Sequence, residues 1–255
     1  MTTLIPQETW NDVLEEVAEE VLEGAEVTTP PVDALGLANR LGIEVAFDVH
    51  QQSRGRFKRL AGRPAIFLKP DDRPERLQWA ASHELGELVA WRVFDRLGEQ
   101  EAARFDLREP VANLLASRIL LPGRWFYHDV SRVCGDLLEL KSIYSTASHE
   151  LIAYRMLDLP DPGIITVFDH GQPSRRRANG FAPAPGLHPL ERDCWNEVHR
   201  INRPAELRGN GMLVQGWPSH EPGWKREILR TTFTENDFEM EAINQCTEWE
   251  QDSVC

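Results

Sequence analysis

No apolar run in this sequence approaches the roughly 18 residues that a membrane-spanning helix needs. Its first ten residues, Met1–Trp10, hold no basic residue and no apolar stretch. A membrane span and a secretory signal are therefore not expected, and the cytoplasm is the expected compartment. Cysteine is scarce: Cys134, Cys194, Cys246 and Cys255 lie far apart and never form a CxxC pair. That spacing argues against a disulfide scaffold and against a zinc ribbon. There is no Gly-rich phosphate loop and no defensible nucleophile–histidine pair. Basic residues are missing from both ends. Residues 1–39 carry nine acids and no Lys or Arg, and residues 235–255 carry seven acids and no base. The formal charge of −13 thus belongs to the ends, because residues 40–234 carry 28 − 25 = +3. Direct nucleic-acid binding is not expected from this balance.

What is present suits a folded protein. The 255 residues, 41% hydrophobic, can bury one large core or two small ones. Trp10, Val13, Leu14, Val17, Val21 and Leu22 recur at helical spacing and predict a helix over 9–24, with Thr9 and Asp12 as its capping box. Thr28–Pro31 breaks it, and a second short helix ends at Gly42. Ile43–Phe47 and Ala65–Leu68 read as strands around a polar loop. Further helices are expected at 75–97, 109–121, 130–140 and 146–158, the last capped by Ser145. Cys134 is expected to pack inside the third of these. Ile164–Phe168 reads as a strand. Residues 171–190, with Arg175, Arg176 and Arg177, read as a linker or long solvated loop. Residues 211–233 predict a β-hairpin.

The chemistry concentrates in His83-Glu84-Leu85-Gly86-Glu87. On a helix, His83 and Glu87 project from one face, four residues apart. Imidazole and carboxylate are both competent zinc ligands. Glu84 is offset beside them, where the HExxH pattern of metallopeptidases carries its general base. Glu109, opening the next expected helix, is the candidate third ligand. Asn113, one turn further, is placed to hydrogen-bond a ligand. The plainer alternatives are a solvated HExxE face and, for Glu109, a carboxylate favoured by a helix N-terminus. Tyr127 and His128 are weaker candidates, as an oxyanion donor and as a stand-in for an absent second histidine. His149, with no ligand four residues on, reads as a surface or packing residue.

These stretches, in order, resemble the ImmA/IrrE-type zinc metallopeptidases. Pro31-Val32-Asp33, Leu37-Ala38 and Leu41-Gly42-Ile43 resemble the family's opening helix and first strand. Ala65–Leu68 resembles the strand before its metal helix, and Glu75–Gly86 resembles that helix. Glu109-x-x-Ala112-Asn113-x-x-Ala116-x-x-x-Leu120-Leu121-Pro122 and Tyr154-Arg155-Met156-Leu157 resemble two later helices. The likeness spans about residues 10–170. It implies an α+β fold: a small, mostly helical zincin-like domain with a short sheet, over residues 9–170. It further implies Zn²⁺ held by His83, Glu87 and Glu109, with Glu84 as general base. The expected partner is a protein substrate such as a helix-turn-helix repressor, whose cleavage releases genes of a mobile element or a stress response. Residues 191–234 are then a C-terminal α/β extension and 235–255 an acidic tail. The departure is Glu87, where the family carries histidine. A His/Glu/Glu site makes a weaker Lewis acid and lets Mn²⁺ compete better with Zn²⁺. The alternative is a catalytically degenerate regulator that binds a partner protein without hydrolysis.

Overall fold

The computed structural model describes residues 6–98, 101–221 and 223–233. The expected acidic tail, with Cys246, Trp249 and Cys255, lies outside them. The chain divides into two compact units, residues 1–135 with 139–152, and residues 136–138 with 153–255. Among the described residues no helix is long and apolar enough to cross a membrane.

The first unit begins with α1 (Gln7–Gly24), starting two residues before Thr9, so the expected capping box does not form. The helical stripe is nevertheless the one that is buried. Leu14 and Val17 pack with Ala90, Val93 and Phe94 of α3 (Pro74–Leu97) and Val111 and Leu115 of α4 (Glu101–Leu120). Helix α2 (Ala34–Arg40) is capped by the Asp33 carboxylate, which accepts from the Leu35 amide. A three-stranded sheet follows, in the order β1-β3-β2. Strand β1 (Glu44–Phe47) runs parallel to β3 (Arg63–Leu68), while β2 (Gly55–Leu60) pairs antiparallel with β3. This leaves β2 as an edge strand. Ala65, Ile66 and Leu68 of the central strand are fully buried.

Four expectations change here. Helix α4 starts at Glu101, so Glu109 and Pro110 stand inside it instead of at its start. Proline removes one helix hydrogen bond and usually marks a boundary, but a helix interior tolerates it when packing holds both sides. The expected helix over 130–140 is two helices, α5 (Gly123–Arg132) and α6 (Leu137–Ile143). Cys134 and Gly135 form the turn between them with φ of 51° and 71°, and Cys134 is exposed, not packed. Finally, α7 (His149–Arg155) is capped by Ser148, whose hydroxyl accepts from the Leu151 amide, and not by Ser145.

The second unit holds an antiparallel five-stranded sheet in the order β5-β4-β8-β7-β6. Its strands are β4 (Gly163–Asp169), β5 (Gln172–Asn179), β6 (Ala205–Gly209), β7 (Met212–Pro218) and β8 (Arg226–Phe233). Strands β7 and β8 form the expected hairpin. Helix α8 (Pro189–Ile201) buries Cys194 against Phe168, Val214 and Leu229. The segment expected as a loop is largely strand β5. Its arginines alternate: Arg176 turns inward onto Glu191, Arg175 pairs with Asp169, and Arg177 lies over the Tyr154 ring. Glu191 is 1% exposed, yet its carboxylate accepts from both Arg176 terminal nitrogens, the Thr231 hydroxyl and the His188 amide. Such a charge can be buried because every lone pair is met.

Candidate metal centre

Helices α3 and α4 approach each other closely, and small residues permit it. A Cβ on Gly86 would stand 2.6 Å from the Ala112 carbonyl oxygen. The Ser82 hydroxyl donates to the Ala116 carbonyl at 3.0 Å, satisfying a polar group inside the same interface. This contact sets His83 and Glu87 of α3 opposite Glu109 of α4. One donor atom of each lies within 4.8 Å of the other two.

The spacing is informative. His83 Nε2 lies 3.8 Å from Glu87 Oε1 and 3.6 Å from Glu109 Oε2. Both are too long for hydrogen bonds. Tetrahedral ligands about 2.1 Å from a zinc ion stand roughly 3.4 Å apart, close to the separations seen. His83 Nδ1 is buried and has no hydrogen-bond partner among the described residues, none of which fixes the ring's tautomer through it. One imidazole and two carboxylates suit Zn²⁺ or Mn²⁺. The residues present therefore fit a divalent cation. Exposure rises from 17% at His83 through 29% at Glu87 to 68% at Glu109, so the cluster opens to solvent on its α4 side.

Glu84 is buried beside the cluster. Burial pushes its carboxyl above the ordinary range, and the Glu87 and Glu109 charges push the same way. His83 and the Phe57 amide, which donates to the Glu84 carboxylate, act against them. That amide comes from the edge strand β2. Gly55 of the same strand passes so near that a Cβ there would meet Glu84 Oε1 at 2.6 Å and Cγ at 2.9 Å. The carboxylate is thus held between α3 and β2.

Asn113 donates from Nδ2 to the Glu109 carbonyl at 3.0 Å and more weakly to Oε1 at 3.4 Å. It orients the residue it follows by one turn. Tyr127 and His128 are placed elsewhere. The Tyr127 hydroxyl donates to Glu15 on α1, and His128 is 78% exposed with its nearest acid, Asp129, 3.7 Å away. His149 sits beside the Lys141–Glu75 ion pair, with its pKa pushed down to about 4 by burial and then by the Lys141 charge. The alternative for Glu109 as a helix-start carboxylate loses its basis, because two turns of α4 precede it.

Arg108 is a participant that sequence reading missed. It donates from Nη2 to Glu87 Oε2 at 3.2 Å. Glu87 and Arg108 are 21 residues apart, and only the α3–α4 packing brings them together. The Phe57 amide and Gly55 were equally hidden, since a backbone donor on an edge strand leaves no sequence motif.

Residues 38–157 match the IrrE N-terminal-like domain family. No match was found among curated proteins. Several solved structures resemble the chain, among them a Mycobacterium tuberculosis transcriptional regulator. That structure is 17% identical, with a TM-score of 0.63 over 88% of this chain and 81% of the other. At this identity the likeness is one of fold. Residues 38–157 therefore carry an IrrE N-terminal-like domain, which is a metallopeptidase-like fold.

Proposed function

We propose that this chain is a metal-dependent endopeptidase that works in the cytoplasm. The observation that carries the reading is the buried Glu84 carboxylate beside the converging donors of His83, Glu87 and Glu109. Those three residues would hold the cation, Zn²⁺ or Mn²⁺. When bound, it polarises the scissile carbonyl and makes water a stronger acid. Glu84 takes a proton from the attacking water on its carboxylate and passes it to the departing amine nitrogen. Burial raises the carboxylate's affinity for that proton above the ordinary value, which favours taking it from the water. Asn113 keeps the Glu109 carboxylate oriented. The substrate is a protein such as a helix-turn-helix transcriptional repressor. The family's character and the fold likeness to a transcriptional regulator support that choice.

The test has two parts. Purified protein should hold about one Zn²⁺ or Mn²⁺ per chain by elemental mass spectrometry. Glu84→Gln should retain that metal and lose about 10²–10⁴-fold of the hydrolysis rate. Protein that is metal-free as isolated, and gains none on adding zinc or manganese, would sink the reading.

One observation favours a second reading, a partner-binding regulator without hydrolysis. Glu87 already has a cationic partner in Arg108, and an acid engaged in that way needs no metal. Under it, Glu84→Gln leaves function intact. Glu87→His would then create a metal site where none existed, instead of preserving one.

A further inference from the structure

The helix that carries Glu84 and the loop leading into β2 also line a cavity. Ala80 lies one turn before Glu84 on α3, and Arg54 immediately precedes Gly55 of β2. With Lys69, Asp71, Arg76 and Leu77 they line a half-open cavity of about 240 Å³. Small-molecule sites run from about 300 to 1,000 Å³. This space falls below that range and is more than large enough for one side chain.

Its charge is one-sided. Arg76 donates to Asp71 at 3.2 Å. Burial raises the Asp71 carboxyl, but the Arg73 amide and Arg76 outweigh it and hold the pKa below the ordinary value. Arg76 and Asp71 thus cancel. Arg54 and Lys69 remain, both exposed, and neither side chain has an acidic partner among the described residues. The Lys69 amide donates to the Arg54 carbonyl at 2.9 Å, which keeps the two stems side by side. Leu77 and Ala80 supply an apolar wall. Two uncancelled cations over an apolar wall match an aliphatic stem that ends in a carboxylate.

We propose that this cavity is a specificity subsite for a glutamate or aspartate side chain of the peptide on which Glu84 acts. The proposal rests on the peptidase reading above and names its substrate class. Four helical residues separate Ala80 from Glu84, about 6 Å along the axis. An extended peptide advances about 3.3 Å per residue. The acidic residue therefore sits about two residues from the bond attacked.

The probes are fluorescein-labelled alanine/serine decapeptides carrying a single Glu, Gln or Lys at each position in turn. Binding is read by fluorescence anisotropy on the zinc-loaded Glu84→Gln chain, and cleavage by mass spectrometry on the chain without that substitution. Glu peptides should bind about five- to twenty-fold tighter than their Gln counterparts, with cuts falling about two residues from the Glu. Adding Arg54→Glu with Lys69→Glu should turn the preference toward Lys peptides. Both positions are exposed, so the thermal midpoint should hold and a failure to fold would be visible. Equal binding of Glu and Gln peptides, or a Glu preference that survives the double charge reversal, overturns the subsite. Selective, reversible binding of Glu peptides without any cleavage keeps the subsite and removes the hydrolysis, so the two claims fail separately.

Discussion

At position 87 a carboxylate stands where the HExxH pattern of metallopeptidases carries a histidine. Arg108 changes what that substitution means. Glu87 and Arg108 together carry no net charge, as a neutral histidine does, so the cluster is less overloaded with negative charge than its three carboxylates suggest. The pair is partly exposed, so its effect is modest and screened by salt. Another single residue sets a pH limit. His149 is neutral in the folded chain because burial and Lys141 hold its pKa near 4, whereas the unfolded value is 6.5. The unfolded state therefore binds the extra proton first as pH falls. Stability conferred by the neutral ring is complete above pH 6.5 and drains away between 6.5 and about 4. We expect His149→Gln to flatten that loss by on the order of 1–2 kcal/mol, after discounting for partial exposure. Denaturant midpoints of both proteins at pH 7 and pH 4.5 check it. Parallel acid losses would show that His149 does not set the limit.

The α3–α4 pair is the element on which the site depends. Its close approach is set at Gly86, opposite the Ala112 carbonyl. Gly86→Ala would force a backbone oxygen away, and overpacking of this kind costs about 1–3 kcal/mol. Because Glu109 rides on α4, the same shift would draw it off His83. We therefore expect Gly86→Ala to lower zinc affinity at least tenfold while far-UV circular dichroism stays nearly unchanged. Calorimetric titration measures the first, and unchanged affinity would refute the coupling. Sequence periodicity exposed much of this element pair. His83, Glu84 and Glu87 follow from helical spacing, and Glu109 with Asn113 from a second helix at a loop's distance. Pro110 misplaced that helix's start, because proline favours first turns and only tertiary packing shows that α4 runs through it. The three arginines at 175–177 misled in another way. Their Gly/Pro-rich surroundings suggested a loop, but a strand needs only alternation, and the inward acid that Arg176 meets, Glu191, comes from a different element. Arg108, Gly55 and the Phe57 amide act across elements and could not be read from neighbours in sequence.

Each of the two units has its own core, one around α1, α3 and α4 and one between α8 and the antiparallel sheet. The fold likeness to the mycobacterial regulator covers 88% of the chain and so runs well beyond residues 38–157. Helix α1 precedes the matched stretch altogether. Yet Leu14, Val17, Val21 and Leu22 are at most 4% exposed, and each such burial contributes roughly 1.5–3 kcal/mol. Their sum rivals the entire net stability of an ordinary domain, about 5–15 kcal/mol. Glu15 on the same helix also meets Arg118, a guanidinium that is 1% exposed. A chain beginning at residue 38 should therefore lose the cooperative thermal transition of the first unit and bind 8-anilinonaphthalene-1-sulfonate, whereas one beginning at Pro6 should keep its transition. A sharp melt from the shorter chain would contradict this. The family match opens at residue 38, while the core that supports it opens some thirty residues earlier. Anyone excising the matched part alone would be lifting out a hearth without its chimney wall.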